Sequence, residues 1–123
     1  SPAPSVIGDA RAIAEKTGCS IHVTEDPAVA LQGVDVVVTD TWVSMGKEDE
    51  KAERVATFGR YQVDAEKMAL ASPEAIFLHC LPADRGFEVA PEVIDGPQSV
   101  IWDESENRLH AQKALLVWLL ERA

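Results

Sequence analysis

Two cysteines, Cys19 and Cys80, are all the chain has in 123 residues, and no pairing pattern links them. That leaves no disulfide framework and points to a reduced, cytoplasmic compartment. None of the seven glycines forms a G-x-G, and nothing resembles a P-loop, so nucleotide cofactors are disfavoured. Basic residues are scarce. Eleven Lys and Arg face 21 Asp and Glu, a formal net charge of −10, which argues against nucleic-acid binding and against attachment to an anionic membrane. The longest apolar run, residues 114–120, is far too short to span a bilayer, and no signal-peptide pattern is visible at the N-terminus. Internal repeats, low-complexity tracts and a domain-dividing linker are absent as well. A content of 46% hydrophobic and 26% charged residues is that of an ordinary globular domain with room for a core.

What is present alternates between strand and helix patterns. Ser5 is a candidate cap for a first helix whose apolar positions Val6, Ile7, Ala10, Ile13 and Ala14 share one face, closed by Gly18. Residues 21–24 read as a short strand and 26–31 as a short helix stopped near Gly33. The Val-rich run 34–39 reads as a buried parallel strand, and the charged segment 47–54 as helical. A link over 59–63, a helix over 64–70, a strand over 75–80, a helical piece over 91–94 and a strand over 99–102 follow. Asp103 or Ser105 is a candidate cap for a final helix reaching about residue 121, with Glu106 placed as in a capping box. Strands separated by helices imply parallel βαβ units in a layered α/β sheet.

Two features suggest an incomplete unit. The sheet expected here has only four short strands, and the first element is a helix with no strand beneath it. The last helix is apolar on every side over 114–120, so it is either packed deeply or docked on another domain or subunit.

Chemistry-bearing residues gather at the strand ends. Asp40 follows the strand at 36–39, Cys80 ends the strand at 75–80, and Arg108 lies just beyond the strand at 99–102. In parallel strands all three fall on the carboxyl edge of the sheet, where ligands bind. Each has a plainer alternative: a turn carboxylate, a small buried hydrophobe, a solvated arginine. Together they suit substrate holding more than covalent catalysis. Asp40 fits an ammonium group, the turn at Ser44 and Gly46 fits a carboxylate, and Arg108, in the first turn of a helix, fits an anion or developing oxyanion. A nucleophilic Cys80 with His79 as base is the competing arrangement. Neighbouring strand residues face opposite ways, however, which makes His79 structural rather than catalytic.

The three motifs Asp40-Thr41-Trp42-Val43-Ser44-Met45-Gly46, His79-Cys80-Leu81-Pro82 and Glu106-Asn107-Arg108-Leu109-His110-Ala111-Gln112 together resemble those of ornithine carbamoyltransferases, in that family's order. The resemblance runs along essentially the whole chain but covers only the C-terminal part of such an enzyme. It implies a three-layer Rossmann-like parallel sheet with helices on both faces, truncated here at its N-terminal strand. Residues 1–123 would then be a partial ornithine-binding domain, and the final helix, about 104–121, would dock on an absent N-terminal domain.

The activity implied is carbamoyl transfer from carbamoyl phosphate to the side-chain amine of L-ornithine, giving L-citrulline and phosphate in arginine biosynthesis. The resemblance gives Asp40 the ornithine α-amino group, and Ser44 and Met45 its amino-acid end. Cys80 and the Leu81 carbonyl would lie beside the reacting amine and carbamoyl group, and Arg108 would bind carbamoyl phosphate. No metal or organic cofactor is implied, and a homotrimer is. Neither the S-x-R-T-R phosphate loop nor the H-P-x-Q motif of the family's N-terminal domain occurs, so the isolated segment is expected to be inactive. A carbamoyltransferase with another amine acceptor such as putrescine, or a non-catalytic amino-acid-binding module of the same fold, are the alternatives.

Overall fold

The computed structural model describes residues 2–43 and 51–122. Helix α1 (Pro4–Thr17) opens the chain. Proline at the first helical position presets the backbone angle, so the cap falls on Ala3 and not on Ser5, which lies inside the helix. Gly18 ends α1 at φ 76°, a left-handed conformation that glycine adopts without a Cβ penalty. Residues 21–24 form no strand. Ile21 and Val23 are exposed, and among the described residues no neighbouring strand offers them a ladder. Asp26 caps helix α2 (Pro27–Leu31) by accepting from the Ala28 amide at 2.9 Å.

Strand β1 (Val36–Thr39) and strand β2 (Ile76–His79) pair in parallel, with Val36 opposite Ile76 and Thr39 opposite His79. Between them lie helix α3 (Lys51–Phe58), a 3-10 turn at Gly59–Tyr61, and the short helix α4 (Ala65–Met68), capped by the Asp64 carboxylate. Residues 47–50 of the expected charged helix lie outside the described residues.

Past β2 come helix α5 (Pro91–Ile94) and helix α6 (Ile101–Leu120). The fourth expected strand, over 99–102, shrinks to one parallel bridge between Ser99 and Phe77, in which Phe77 donates to the Gln98 carbonyl and accepts from the Val100 amide. Helix α6 has already begun at Ile101, with Asp103 and Glu104 in its first turn, where carboxylates suit the helix dipole. Neither Asp103 nor Ser105 is the cap; that position belongs to Val100, without a side-chain bond.

The fold is therefore α/β with a parallel sheet and helices on both sides, but the two faces of the sheet are covered unequally. Alternation sends Val37, Phe77 and His79 inward, where Phe77 packs with Val89, Val93, Ile94 and Ile101 in the main core. The opposite face shows Val36, Val38 and Ile76 to solvent. Helix α6 leaves the core after Ile101, its only buried residue, and all its apolar positions from Leu115 to Leu120 stand exposed. No helix among the described residues is long and apolar enough to cross a membrane.

Two substitutions test this core. Phe77→Ala, at 0% exposure, should lower unfolding free energy by about 3–5 kcal/mol. Gly96→Ala should cost about 1–3 kcal/mol, because its Cβ would collide with the Glu92 carbonyl and crowd that of Val93. Urea unfolding of the full-length protein, followed by tryptophan fluorescence, would check both.

Candidate functional site

Parallel register decides what the site contains. Because Thr39 sits opposite His79, the next residues, Asp40 and Cys80, leave the sheet side by side at its carboxyl edge. The Cys80 thiol donates to Asp40 Oδ1 at 3.2 Å, and the Thr41 amide donates to the same oxygen at 2.7 Å. Both donors favour the ionised carboxylate, the thiol foremost, and hold the Asp40 carboxyl below its usual range. The same bond works the other way on Cys80. Donating to a carboxylate, being partly desolvated and lying near the charges of Asp40 and Glu104 together push its thiol above the ordinary value. Cys80 is accordingly a protonated hydrogen-bond donor at neutral pH and not a thiolate nucleophile.

Arg108 joins them from α6. Its Nη1 donates to the Cys80 carbonyl at 3.3 Å, and the residue remains exposed. Its position departs from expectation. Since α6 begins at Ile101, Arg108 lies two turns inside the helix, where backbone amides are already bonded. Any anion it holds is held by the guanidinium alone. Glu104, one turn earlier on the same helix, has a buried Oε2 without a hydrogen-bond partner.

After Cys80 the chain makes a tight turn. Leu81 has φ 54°, a left-handed conformation that costs a branched side chain roughly 1–2 kcal/mol, and the Leu81–Pro82 peptide is cis. The Leu81 amide donates to His79 Nδ1 at 2.9 Å. A backbone amide can only donate, so Nδ1 carries the lone pair and Nε2 the proton, which points to Glu88 Oε1 at 3.2 Å. His79 is fully buried on the face away from Cys80. It is the structural residue that strand alternation indicated, and it cannot serve Cys80 as a base.

On the Asp40 side, Arg54 Nη1 donates to the Trp42 carbonyl at 3.0 Å, and the Trp42 and Phe58 rings lie 6.2 Å apart, so α3 braces the segment that follows Asp40. Ser44, Met45 and Gly46 lie outside the described residues. Asp40, Cys80, Leu81 and Arg108 are thus brought together. Sequence reasoning missed Thr41, Glu104 and Glu88. The one readable signal for Glu88 was a lone carboxylate between Phe87 and Val89-Ala90. The cluster offers one ionised carboxylate, one thiol donor and one guanidinium, a set suited to an ammonium-bearing substrate beside an anionic one.

The chain is similar to known proteins along nearly all of its length. The family model for the Asp/Orn-binding domain of aspartate/ornithine carbamoyltransferases matches residues 1–119. An ornithine carbamoyltransferase from Leifsonia xyli is 67% identical over 122 residues, covering 99% of this chain and 39% of the relative. Among solved structures, the ornithine carbamoyltransferase from Pyrococcus furiosus superposes with a TM-score of 0.87 at 48% identity, over 94% of this chain and 37% of that one. The anabolic ornithine carbamoyltransferase from Campylobacter jejuni does so with a TM-score of 0.91 at 40% identity, over 100% and 41%. The chain thus spans 37–41% of the length of the proteins it matches.

The thiol–carboxylate pair has a pH signature. Alkylation of Cys80 by iodoacetamide should rise with a midpoint above the ordinary thiol value of 9.0, and Asp40→Asn should move that midpoint down. The contribution of Asp40 to stability is present above 3.8 and is lost as pH falls through its lowered folded value. That of Cys80 is present below 9.0 and is lost as pH rises through its raised one. A Cys80 midpoint at or below that of an exposed thiol would contradict the geometry.

Proposed function

Because this chain belongs to the aspartate/ornithine carbamoyltransferase family through its Asp/Orn-binding domain, we propose that it supplies the ornithine-binding half of an ornithine carbamoyltransferase. The observation that carries the reading is the 3.2 Å contact between Cys80 and Asp40 on adjacent parallel strand ends, with Arg108 on the Cys80 carbonyl.

In this reading Asp40, held ionised by the Cys80 thiol and the Thr41 amide, takes the α-ammonium of L-ornithine. Ser44 and Met45 receive the rest of its amino-acid end. The side-chain amine, in its neutral form, attacks the carbonyl carbon of carbamoyl phosphate. A C–N bond forms, the C–O bond to phosphate breaks, and the amine's lost proton leaves with the phosphate, giving L-citrulline and phosphate. Cys80 and the Leu81 carbonyl lie beside the reacting amine, and the Arg108 guanidinium steadies the carbonyl oxygen as it takes on charge. The reaction needs positioning and charge stabilisation only, with no cofactor.

The other half of the site comes from an N-terminal, carbamoyl-phosphate-binding domain. Helix α6 docks on that domain, a reading supported by the solvent exposure of Leu115, Leu116, Trp118 and Leu120. The whole enzyme acts as a homotrimer in the cytoplasm, in arginine biosynthesis.

The test is to join this segment to the N-terminal domain in one polypeptide and assay citrulline from ornithine and carbamoyl phosphate. Turnover is expected with ornithine and not with putrescine, which lacks the α-amino acid group. Failure of the folded, assembled protein to form citrulline would refute the proposal. The isolated 123 residues should yield no citrulline, since the domain that binds carbamoyl phosphate is absent from them; turnover by this segment alone would contradict the division of labour.

A further inference from the structure

Glu88 and His79 are both buried, at 1% and 0% exposure, and their side chains bond to each other and to the turn after Cys80. A buried carboxylate is expensive unless it is bonded, and its cost argues that something depends on it. Its bonds run in a definite direction. Glu88 Oε1 accepts from His79 Nε2 at 3.2 Å and from the Asp84 amide at 2.6 Å. The other ring nitrogen of His79 then accepts the Leu81 amide at 2.9 Å. The backbone of Glu88 is itself fixed, because its carbonyl accepts the Val63 amide at 2.9 Å and the next residue, Val89, bridges to Val63.

Leu81 is where this chain of bonds ends, and it is the one residue other than glycine found at positive φ among the described residues. Its left-handed conformation decides where the Cys80 and Leu81 carbonyls point. The surroundings must hold a conformation of this kind in place, since the residue does not favour it. The carboxylate also sets the tautomer. With Glu88 Oε1 as the acceptor opposite it, Nε2 keeps the proton and Nδ1 stays free to accept the Leu81 amide.

We infer that Glu88 is a positioning residue for the turn from Cys80 to Pro82, acting through His79 to hold the Cys80 thiol and the Leu81 carbonyl against the reacting groups. The inference rests on the carbamoyl-transfer reading of the site. It adds that the turn is aligned from behind by a buried carboxylate-imidazole relay that touches no substrate.

The test uses the full-length enzyme in a Cys19→Ser background, so that Cys80 is the only thiol this segment presents to a label. Glu88→Ala should lower kcat for citrulline formation by about 10²-fold, the scale of a misplacement near 1 Å, while KM for ornithine changes little, because Asp40 keeps its strand and its bond from the Thr41 amide. Glu88→Gln, which keeps an acceptor at Oε1 for both donors, should restore most of that loss. His79→Asn keeps an acceptor for the Leu81 amide but cuts the link to Glu88, so adding Glu88→Ala to it should cost no more. A structural role alone would lower Tm without this split between kcat and KM and without this coupling. Folded Glu88→Ala with wild-type kcat, or an equal loss from Glu88→Ala with and without His79→Asn, would overturn the inference. Should Glu88→Ala fail to fold, an unaltered kcat in His79→Glu, which puts a like charge against Glu88, would overturn it. The alkylation rate of Cys80 separates the two levels of failure. If the unmodified enzyme forms no citrulline, the functional reading fails, while a changed Cys80 rate in Glu88→Ala and not in Glu88→Gln still supports the relay, and equal rates in all three overturn it.

Discussion

Everything chemical in this domain depends on one parallel pairing, Thr39 opposite His79. Two consequences follow from that register. Residues one step further, Asp40 and Cys80, emerge as neighbours, and residues of one parity along both strands point into the core. A slip of β2 by one residue would turn Phe77 and His79 out to solvent and bring Ile76 and Leu78 inward, so burial and site geometry are chosen together. The core thereby protects the site: Phe77, fully buried and bridged to Ser99, holds the strand whose end carries the thiol, and also holds the start of α6, which carries Arg108.

The unequal covering of the domain is the complement of this arrangement. Apolar surface at Val36, Val38 and Ile76 and along the second half of α6 is left partly in water, so each large side chain forgoes a part of the roughly 1.5–3 kcal/mol that full burial contributes. Helices that are apolar all round normally lie inside a larger body. Among the described residues, α6 makes its contacts with the sheet at its beginning and then extends away, with Arg108 at the point of departure. In the proposed arrangement a helix placed in this way reaches the second domain that completes the site. The resemblance to the carbamoyltransferases leads to the same arrangement from the motifs alone.

How much of this could be read from the sequence differed between elements for physical reasons. The runs 34–39 and 75–80 were legible as parallel strands because both are short and apolar, and the structure forms strands over Val36–Thr39 and Ile76–His79 within them. Residues 21–24 had the same local character but no partner to pair with among the described residues, and strand propensity without a ladder produces no strand. At 99–102 two patterns overlapped. The helix prevailed because its acidic first turn and long apolar continuation outweigh one bridge to Phe77, and Arg108 consequently lies deeper in the helix than its distance from Asp103 indicated. Asp40, Cys80 and Arg108 were legible as a set because parallel topology brings strand ends together. Glu88 was not, since its role rests on a contact with His79 made across a turn, which no local pattern encodes.

The state of the thiol brings these levels together. At neutral pH the ornithine side-chain amine is mostly ammonium, and only its neutral form can attack a carbonyl carbon. Every negative charge placed beside it favours the ammonium form. In the proposed reading Asp40 grips the α-ammonium of the substrate, and the phosphate of its partner brings further negative charge. A thiolate at Cys80 would add one more at the worst position. By donating to Asp40, Cys80 stays protonated and the carboxylate is partly screened by the bond it accepts. In the proposed reaction the thiol would thus give the amine a polar neighbour without a charge. In the proposed reaction, a residue whose identity first suggests a nucleophile serves best by never becoming one.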